Sequence, residues 1–332
     1  MTRPEDRRTL AAGDRLIMAL AVGGWGAFIT YFAMQSHPQH FAKDFSYPWR
    51  AARALLDGQN PYEVIRAVGA YPFNADFLYP LPAALVAMPF SFLRPEVAGA
   101  LFIGFSSTLL AWALLRDSPY RLPLFLSAPF VQAAILGQWS PLLTAAALMP
   151  AFQFFAAAKP TIGLAAWIYR PSLKGIIGGL LLVAISFLVL PGWLGDWREV
   201  TTGMTKYRGP ATTLLGCFLL LGVLRWRRRE GRLFVAMSLV PQLPVFYDSL
   251  ILWLIPSTLW RSFALSAMSW VGYLMWYPSH ASPAQNEIAL PYLVFTIYAP
   301  ALLLLLLLPA REAETVSATP ANPEPAVPPA PA

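Results

Sequence analysis

The chain has 332 residues, of which 57% are apolar and only 12% are charged, and its mean hydropathy is +0.52. A soluble domain carries about a quarter charged residues, so 17 acids and 24 bases cannot cover a soluble body of this length. The composition excludes a cytosolic enzyme, a disordered chain and a disulfide-stapled protein, and it predicts an integral membrane protein with many spans.

The surplus of bases gives a formal net charge of +7, which in a soluble protein would point to nucleic acid. Here the bases lie in short loops between apolar runs, where Lys and Arg report topology because they are retained on the cytoplasmic side. We therefore expect no nucleic-acid partner and place four basic groups in the cytoplasm. These groups lie at 3–15, 116–121, 170–174 and 225–232.

Ten uncharged runs follow one another along the chain, and all should be helical because hydrocarbon tolerates no unpaired strand edge. The first is long enough for an uncleaved span. The second, 77–93, is not expected to cross fully, and a polar turn at 137–141 divides the fourth into two spans. The prediction is an all-α integral membrane protein with about ten transmembrane helices. The runs are 16–36, 77–93, 97–115, 122–158, 175–195, 209–224, 233–247, 249–260, 262–286 and 288–310.

The membrane domain is assigned to residues 1–310. Residues 311–332 are rich in Pro and Ala and cannot bury enough apolar surface to fold, so a disordered tail is expected there. Cys217 is the only cysteine in the sequence. It lies in an apolar run, where a small buried side chain is expected.

The segment after the first span predicts a short surface helix. Pro48 suits the first position of a helix and Gly58 its carboxyl-terminal cap. Arg50 and Arg53 then lie on one face with Asp57, while the other face is apolar. We expect this helix to lie flat at the membrane surface, with the arginines facing lipid headgroups or a lipid-borne phosphate. The apolar face consists of Trp49, Ala52, Leu55 and Leu56.

Several motifs follow in a fixed order over roughly the first half of the chain. Asp44 comes just after the first span, and the surface helix ends in Leu-Leu-Asp-Gly-Gln-Asn-Pro-Tyr at 55–62. Tyr-Pro-Leu-Pro follows at 79–82, with Pro89 seven residues later. Leu-Gly-Gln-Trp-Ser at 136–140 and Lys159-Pro160 complete the series. In this order the motifs resemble glycosyltransferase family 87, GT-C membrane enzymes that include polyprenyl-phosphate-mannose-dependent mannosyltransferases.

The resemblance implies a GT-C-like helical bundle that moves a hexose or pentose, most often mannose, from a polyprenyl-phosphate donor to a hydroxyl of a lipid or glycan acceptor. Its active site would face the extracytoplasmic side of a bacterial inner membrane, in contact with membrane lipids. An inverting transfer needs a carboxylate to take the acceptor's proton and donors or cations to stabilise the departing phosphate. The resemblance places the catalytic carboxylate at Asp44.

Five further residues are candidates for binding the donor's phosphate or sugar, and each has a plainer interpretation. Arg50 and Arg53 would otherwise extend to lipid headgroups, and Lys159 would be a cytoplasmic anchor, which the predicted topology favours. Gln138 either hydrogen-bonds a sugar or satisfies the broken backbone of its turn. Asp248 is an acid among apolar runs, a functional hypothesis by default, or an acid at a water-exposed helix end.

The second half departs from the family, in which many members carry a histidine before a late apolar helix. The corresponding segment here, 244–250, contains Asp248 instead. No P-loop, H-E-x-x-H or G-x-S-x-G motif is present, which argues against nucleotide-sugar or ATP chemistry. No spacing demands a divalent ion, so no cofactor is expected. A transporter or flippase, and a non-catalytic subunit of a membrane complex, remain alternatives to the glycosyltransferase.

Overall fold

A computed structural model describes residues 11–36, 44–66, 71–72, 76–202, 207–279 and 285–309. Nearly every described element is a helix, as the sequence predicts; two short parallel strands, β1 (Ile65–Arg66) and β2 (Tyr71–Pro72), are the exception. The tail predicted at 311–332 lies outside the described residues. The α-helices are α1 (Ala12–Gln35), α2 (Ser46–Leu56), α3 (Pro61–Val64), α4 (Leu81–Ala87), α5 (Pro95–Asp117), α6 (Ala128–Leu136), α7 (Ser140–Leu148), α8 (Pro160–Tyr169), α9 (Leu173–Val189), α10 (Trp193–Thr201), α11 (Arg229–Leu239), α12 (Leu259–Trp276), α13 (Gln285–Leu293) and α14 (Ala299–Leu306).

Within the described residues, three helices are long and apolar enough to cross a membrane. They are Ala12–Gln35, Pro95–Asp117 and Ile288–Leu306, the last of which runs through a π-helical turn at Val294–Tyr298. A fourth span is counted if α9 and α10, which meet at an angle of 98°, cross together. These helices indicate membrane association.

Most of the other uncharged runs form shorter pieces, because prolines and polar turns interrupt them. The run 122–158 is broken at Gly137, as predicted, but each half is a 3-10 segment joined to a short α-helix. The run 77–93 gives only α4 and one 3-10 turn, which agrees with the expectation that it does not cross fully. The 3-10 segments are Met88–Phe90, Pro119–Leu126, Pro150–Ala158, Pro210–Thr212, Leu214–Arg225, Tyr247–Leu254 and Tyr277–Ser279.

The longest helix pair, α1 and α5, packs through small residues. A Cβ atom added to Gly23 would overlap the Thr108 hydroxyl, and one added to Gly26 would lie 2.7 Å from Ser107 Oγ. In lipid there is no hydrophobic driving force between helices, so they associate through the close packing that small residues allow. At the cytoplasmic end predicted for this pair, the Arg15 guanidinium lies over the Trp112 ring, so α1 and α5 run antiparallel.

Large apolar side chains cover the outside of the later helices. On α9, Leu180 and Leu188 are 63% and 84% exposed, and in the segment Leu214–Arg225, Leu214 is 94% exposed. A continuous apolar surface of this kind is unstable in water and belongs against lipid or a partner. Cys217 is also exposed on Leu214–Arg225. The prediction that it is buried was wrong, because the helix turns that residue outward.

The surface helix predicted in the first loop is α2. It ends at Leu56, and Gly58 follows in the left-handed conformation with φ of 69°, as its predicted capping role requires. Trp49 and Ala52 are buried and Arg53 is exposed, as the pattern predicts, although Leu56 is exposed too. The helix packs on α4, so its apolar face is covered by protein.

Candidate active site

A cavity of about 540 Å³ opens where the first loop meets the ends of several short helices. Asp44, Asp248 and Lys159 line it together with a set of aromatic residues. Three segments far apart in sequence thus bring the carboxylates of Asp44 and Asp248 and the ammonium group of Lys159 to one place, and Asp76 is a third carboxylate in the lining. The remaining lining residues are Tyr47, Asp76, Leu78, Tyr79, Pro80, Pro160, Thr161, Trp197, Thr201, Tyr207, Pro241, Gln242, Leu243 and Tyr247.

Asp44 is fixed by its backbone and by its neighbour. Its N–H donates to the carbonyl of Leu136 at the end of α6, at 2.8 Å. Phe45 stacks on Phe102 of α5 with ring centroids 4.1 Å apart. Gly137, the cap of α6, has φ of 66°, and a Cβ there would lie 3.1 Å from Phe45 Cβ. The glycine therefore serves both the left-handed turn and the close approach of the Asp44 segment.

The Asp44 carboxylate lies among groups that tune its charge. Tyr247 donates its hydroxyl to Asp44 Oδ2 at 3.4 Å, and the hydroxyl of Tyr79 also donates to this carboxylate. Burial raises the pKa of Asp44 and the nearby Asp248 charge adds to this effect, while Lys159 and the two tyrosine hydroxyls act to lower it; together they give a pKa of about 6. A carboxylate with this pKa is ionised at pH 7 and is more basic than an ordinary aspartate.

Lys159 and Asp248 form a buried ion pair next to Asp44. Lys159 Nζ donates to Asp248 Oδ1 at 2.8 Å, and the two side chains are 15% and 6% exposed. The same ammonium lies 5.0 Å from the centroid of the Tyr247 ring. Lys159 is the residue before Pro160, where α8 begins, so the start of that helix directs the lysine into the cavity.

Gln138 holds the other side of Lys159. Its Oε1 accepts from Lys159 Nζ at 3.3 Å. Gln138 is fully buried, and its Nε2 has no hydrogen-bond partner in the described part of the chain. The interpretation of Lys159 as an anchor on the membrane face opposite the Gln138 turn is therefore wrong, because the two side chains touch. Asp248 is buried rather than exposed at a helix end.

Arg50 and Arg53 do not join this cluster. Both guanidinium groups lie 5.3 Å from the Trp49 ring centroid, and Arg53 Nη1 reaches the Ser91 carbonyl at 3.5 Å. Neither lines the cavity formed by the described residues. The structure does not bring these two arginines to the cavity at Asp44, and Arg53 is directed toward the turn after α4; their role in binding the donor stays a prediction. The cation at the cavity is Lys159.

The motif 55–62 builds the wall of the cavity rather than its chemistry. Asn60 caps α3 by accepting from the Tyr62 N–H, and its Nδ2 donates to Asp196 Oδ2 of α10 at 2.9 Å. The Tyr62 hydroxyl donates to the Tyr79 carbonyl at 3.0 Å. From the other side, Trp197 of α10 donates to the Leu78 carbonyl at 2.9 Å. These bonds hold α10 across the cavity beside Asp44.

Two tyrosines and a glutamine that were not predicted from the sequence organise the site. Tyr79 and Tyr247 stood in quoted motifs, beside a proline and beside Asp248, but no spacing indicated that both hydroxyls would meet Asp44. Gln132 Oε1 accepts from the Tyr247 N–H at 3.0 Å and fixes that residue. A polar residue inside the apolar run 122–158 was the available signal for Gln132.

No family model, curated protein or solved structure matches this chain. Among the described residues, no group of three or more His, Cys, Asp and Glu side chains is close enough to hold a metal ion.

Proposed function

We propose that this protein is an inverting glycosyltransferase that uses a sugar linked to polyprenyl phosphate, with Asp44 as the general base. The observation that carries the proposal is the cavity in which Asp44, with its raised pKa, lies beside an ammonium group. A proton acceptor and a phosphate partner are the two groups that this transfer requires.

The reaction follows from these positions. Asp44 takes the proton of the acceptor hydroxyl as the acceptor oxygen forms its bond to the anomeric carbon. The bond between that carbon and the phosphate oxygen breaks, and its electron pair leaves with the polyprenyl phosphate. An ammonium group has three donors; Lys159 uses two of them on Asp248 and Gln138. The third is left to stabilise the developing phosphate charge.

The arrangement of bases supports an extracytoplasmic cavity. Arg121, Arg170 and Arg229, from three of the groups predicted to be cytoplasmic, line one small pocket. That pocket lies at the far end of α8 from Lys159, about 15 Å away along the helix. Under the positive-inside rule the arginine end is cytoplasmic, which supports an extracytoplasmic position for Asp44 at the other end of α8. The GT-C-like bundle of about ten spans and the bacterial inner membrane are further parts of this proposal.

The cavity also favours transfer over transport. The hypothesis of a transporter requires charged residues along a path through the membrane. The two candidates for such a path, Lys159 and Asp248, instead form an ion pair in the same cavity as Asp44. Because the donor's lipid tail stays in the bilayer, the mannose or other sugar would enter this cavity sideways and meet a lipid or glycan acceptor there.

The test is sugar transfer by the Asp44→Asn variant in membranes supplied with radiolabelled polyprenyl-phosphate sugars. The asparagine keeps the size and the hydrogen-bond acceptor but cannot take a proton, so we expect transfer to fall at least about a hundredfold. The matched control is Asp14→Asn, which removes an exposed carboxylate from α1. Transfer that is unchanged in Asp44→Asn, while the protein stays folded, would remove Asp44 from its role.

A further inference from the structure

A second pocket lies at the end of the molecule opposite Asp44. Phe45 stacks on Phe102, and α5 continues from Phe102 to Asp117, which lines the second pocket. Phe102 and Asp117 are roughly 20 Å apart along the helix. We name the second pocket the arginine pocket; its volume is about 40 Å³. The lining residues are Asp117, Ser118, Tyr120, Arg121, Leu148, Tyr169, Arg170 and Arg229.

Neither Arg121 nor Arg170 forms an ion pair within 4 Å among the described residues, although the charge of Arg170 acts on the Asp117 carboxylate. Arg121 is 3% exposed, and its guanidinium donates to the Pro256 carbonyl at 3.1 Å and to the Tyr169 hydroxyl at 3.5 Å. Arg170 donates to the Leu148 carbonyl at 3.2 Å. Of the three arginines only Arg121 is buried, whereas Arg170 and Arg229 are exposed. A buried charge is normally paired with an opposite charge, and the neutral acceptors of Arg121 do not supply one. The pocket thus has an unmet requirement for negative charge.

The acids near the pocket are already engaged. Asp117 receives two hydrogen bonds from Arg116, at 2.7 and 3.0 Å. Arg229 donates through Nε to Glu230 at 3.0 Å and lies 4.9 Å from the Tyr169 ring centroid. Each of these two ion pairs is electrically neutral, so the positive charges of Arg121 and Arg170 are left without a compensating negative charge.

A hydroxyl donor completes the set. Ser118 is 3% exposed and lines the pocket, and its Oγ has no hydrogen-bond partner among the described residues. A buried unsatisfied polar atom of this kind is costly unless a ligand or water meets it. In addition, Arg121, Arg170 and Arg229 each keep a terminal nitrogen, Nη2, that makes no hydrogen bond to the described residues. Donors from three segments thus converge on one small volume.

We propose that the arginine pocket binds a phosphate group on the cytoplasmic side of the membrane. The volume suits a few waters or one tetrahedral oxyanion and excludes a sugar or a nucleotide base. Guanidinium groups give charge-assisted, often bidentate hydrogen bonds to phosphate oxygens. The phosphate comes either from an anionic lipid headgroup or from free phosphate. This inference does not depend on the glycosyltransferase proposal, since none of the pocket residues lines the cavity at Asp44.

The experiment measures binding to the purified full-length protein in two arms. The first arm titrates inorganic phosphate and follows binding by calorimetry. The second uses native mass spectrometry of protein released from nanodiscs of phosphatidylcholine with or without phosphatidylglycerol. Binding in the first arm alone identifies free phosphate, and a retained phosphatidylglycerol in the second identifies a lipid headgroup. The absence of binding in both arms overturns the proposal.

Variants locate the site. Arg170→Gln should weaken binding at least about tenfold, because hydrogen bonds to a charged group are lost. Ser118→Ala, a small change that spares the fold, should weaken it about two- to fivefold. The matched control is Arg227→Gln, which removes an exposed charge in the same basic group outside the pocket. Equal losses in Arg170→Gln and Arg227→Gln would show a general attraction to positive charge and would overturn the proposal.

Discussion

The two ends of α8 hold polar clusters of opposite character. At its start, Lys159 forms an ion pair with Asp248 and lies in the cavity with Asp44, so the positive charge there is accompanied by negative charges. At its end, the arginine pocket collects cations whose partners are mainly carbonyls and aromatic rings. A group that accepts a proton needs neighbours that adjust its pKa, whereas a site that binds an anion needs an excess of positive charge. The comparison separates a candidate site for chemistry from a candidate site for binding.

Removing the lysine is the strongest way to break this comparison. We expect Lys159→Met to lower the rate of sugar transfer about a hundredfold, because the leaving phosphate loses its cationic partner. Radiolabelled transfer from the polyprenyl-phosphate donor measures the effect. The matched control is Lys174→Met, which removes an exposed lysine outside both clusters. Equal activity in the two variants would show that the cation at the cavity has no part in transfer.

The stability of the Asp44 variant distinguishes a buried carboxylate with a raised pKa from an ordinary exposed carboxylate. Because the folded-state pKa of Asp44 is raised from 3.8 to about 6, its ionisation destabilises the fold as pH rises through this interval, and below pH 4 the cost disappears. Asp44→Asn should therefore stabilise the protein at pH 7, on the order of 3 kcal/mol.

Thermal unfolding in detergent checks this, with the gain fading as the pH is lowered toward 4. A variant that is less stable than the wild type at pH 7 would show that Asp44 is held by its partners rather than strained by burial. Asp14→Asn serves again as the control, since that carboxylate is exposed.

The turn that supports the cavity gives a smaller effect. Gly137→Ala should cost about 1–2 kcal/mol, because alanine is strained at φ of 66° and its Cβ would press on Phe45. The melting temperature reports the loss of stability. Gly24→Ala is the control, because a Cβ at Gly24 meets nothing within 4 Å. Equal melting temperatures for the two variants would contradict the role given to this turn.

The sequence predicted the helical membrane protein, the break at Gly137, the cap at Gly58 and Asp44 as a candidate site residue, since each depends on local pattern or on motif order. It did not predict which charges would meet. The contact between Lys159 and Asp248 joins residues from distant segments, and neither periodicity nor topology reveals it. The positive-inside rule even favoured an anchoring role for Lys159. Likewise α2 has the predicted apolar and basic faces, but because its apolar face packs on α4, Arg50 and Arg53 do not line the cavity.

The neighbouring acid supplies the smallest predicted change. The charge of Asp248 raises the pKa of Asp44, so Asp248→Asn should move the acidic limb of the pH–rate profile to lower pH by a fraction of a unit. The profile of transfer against pH measures the shift. A midpoint that rises in this variant would mean that Asp248 acts mainly by holding Lys159 close to Asp44, because the ammonium charge lowers the pKa of Asp44.

The most direct test of the account is the pH dependence of sugar transfer by the wild-type protein and by Asp44→Asn. If Asp44 accepts the proton, kcat/KM should rise with pH, reach half its plateau at the pKa of about 6 that burial gives this group, and level off above it. The residual transfer of Asp44→Asn should lack this limb. A wild-type profile that is flat through that midpoint, or a limb that survives in Asp44→Asn, would contradict the assignment of Asp44 as the base.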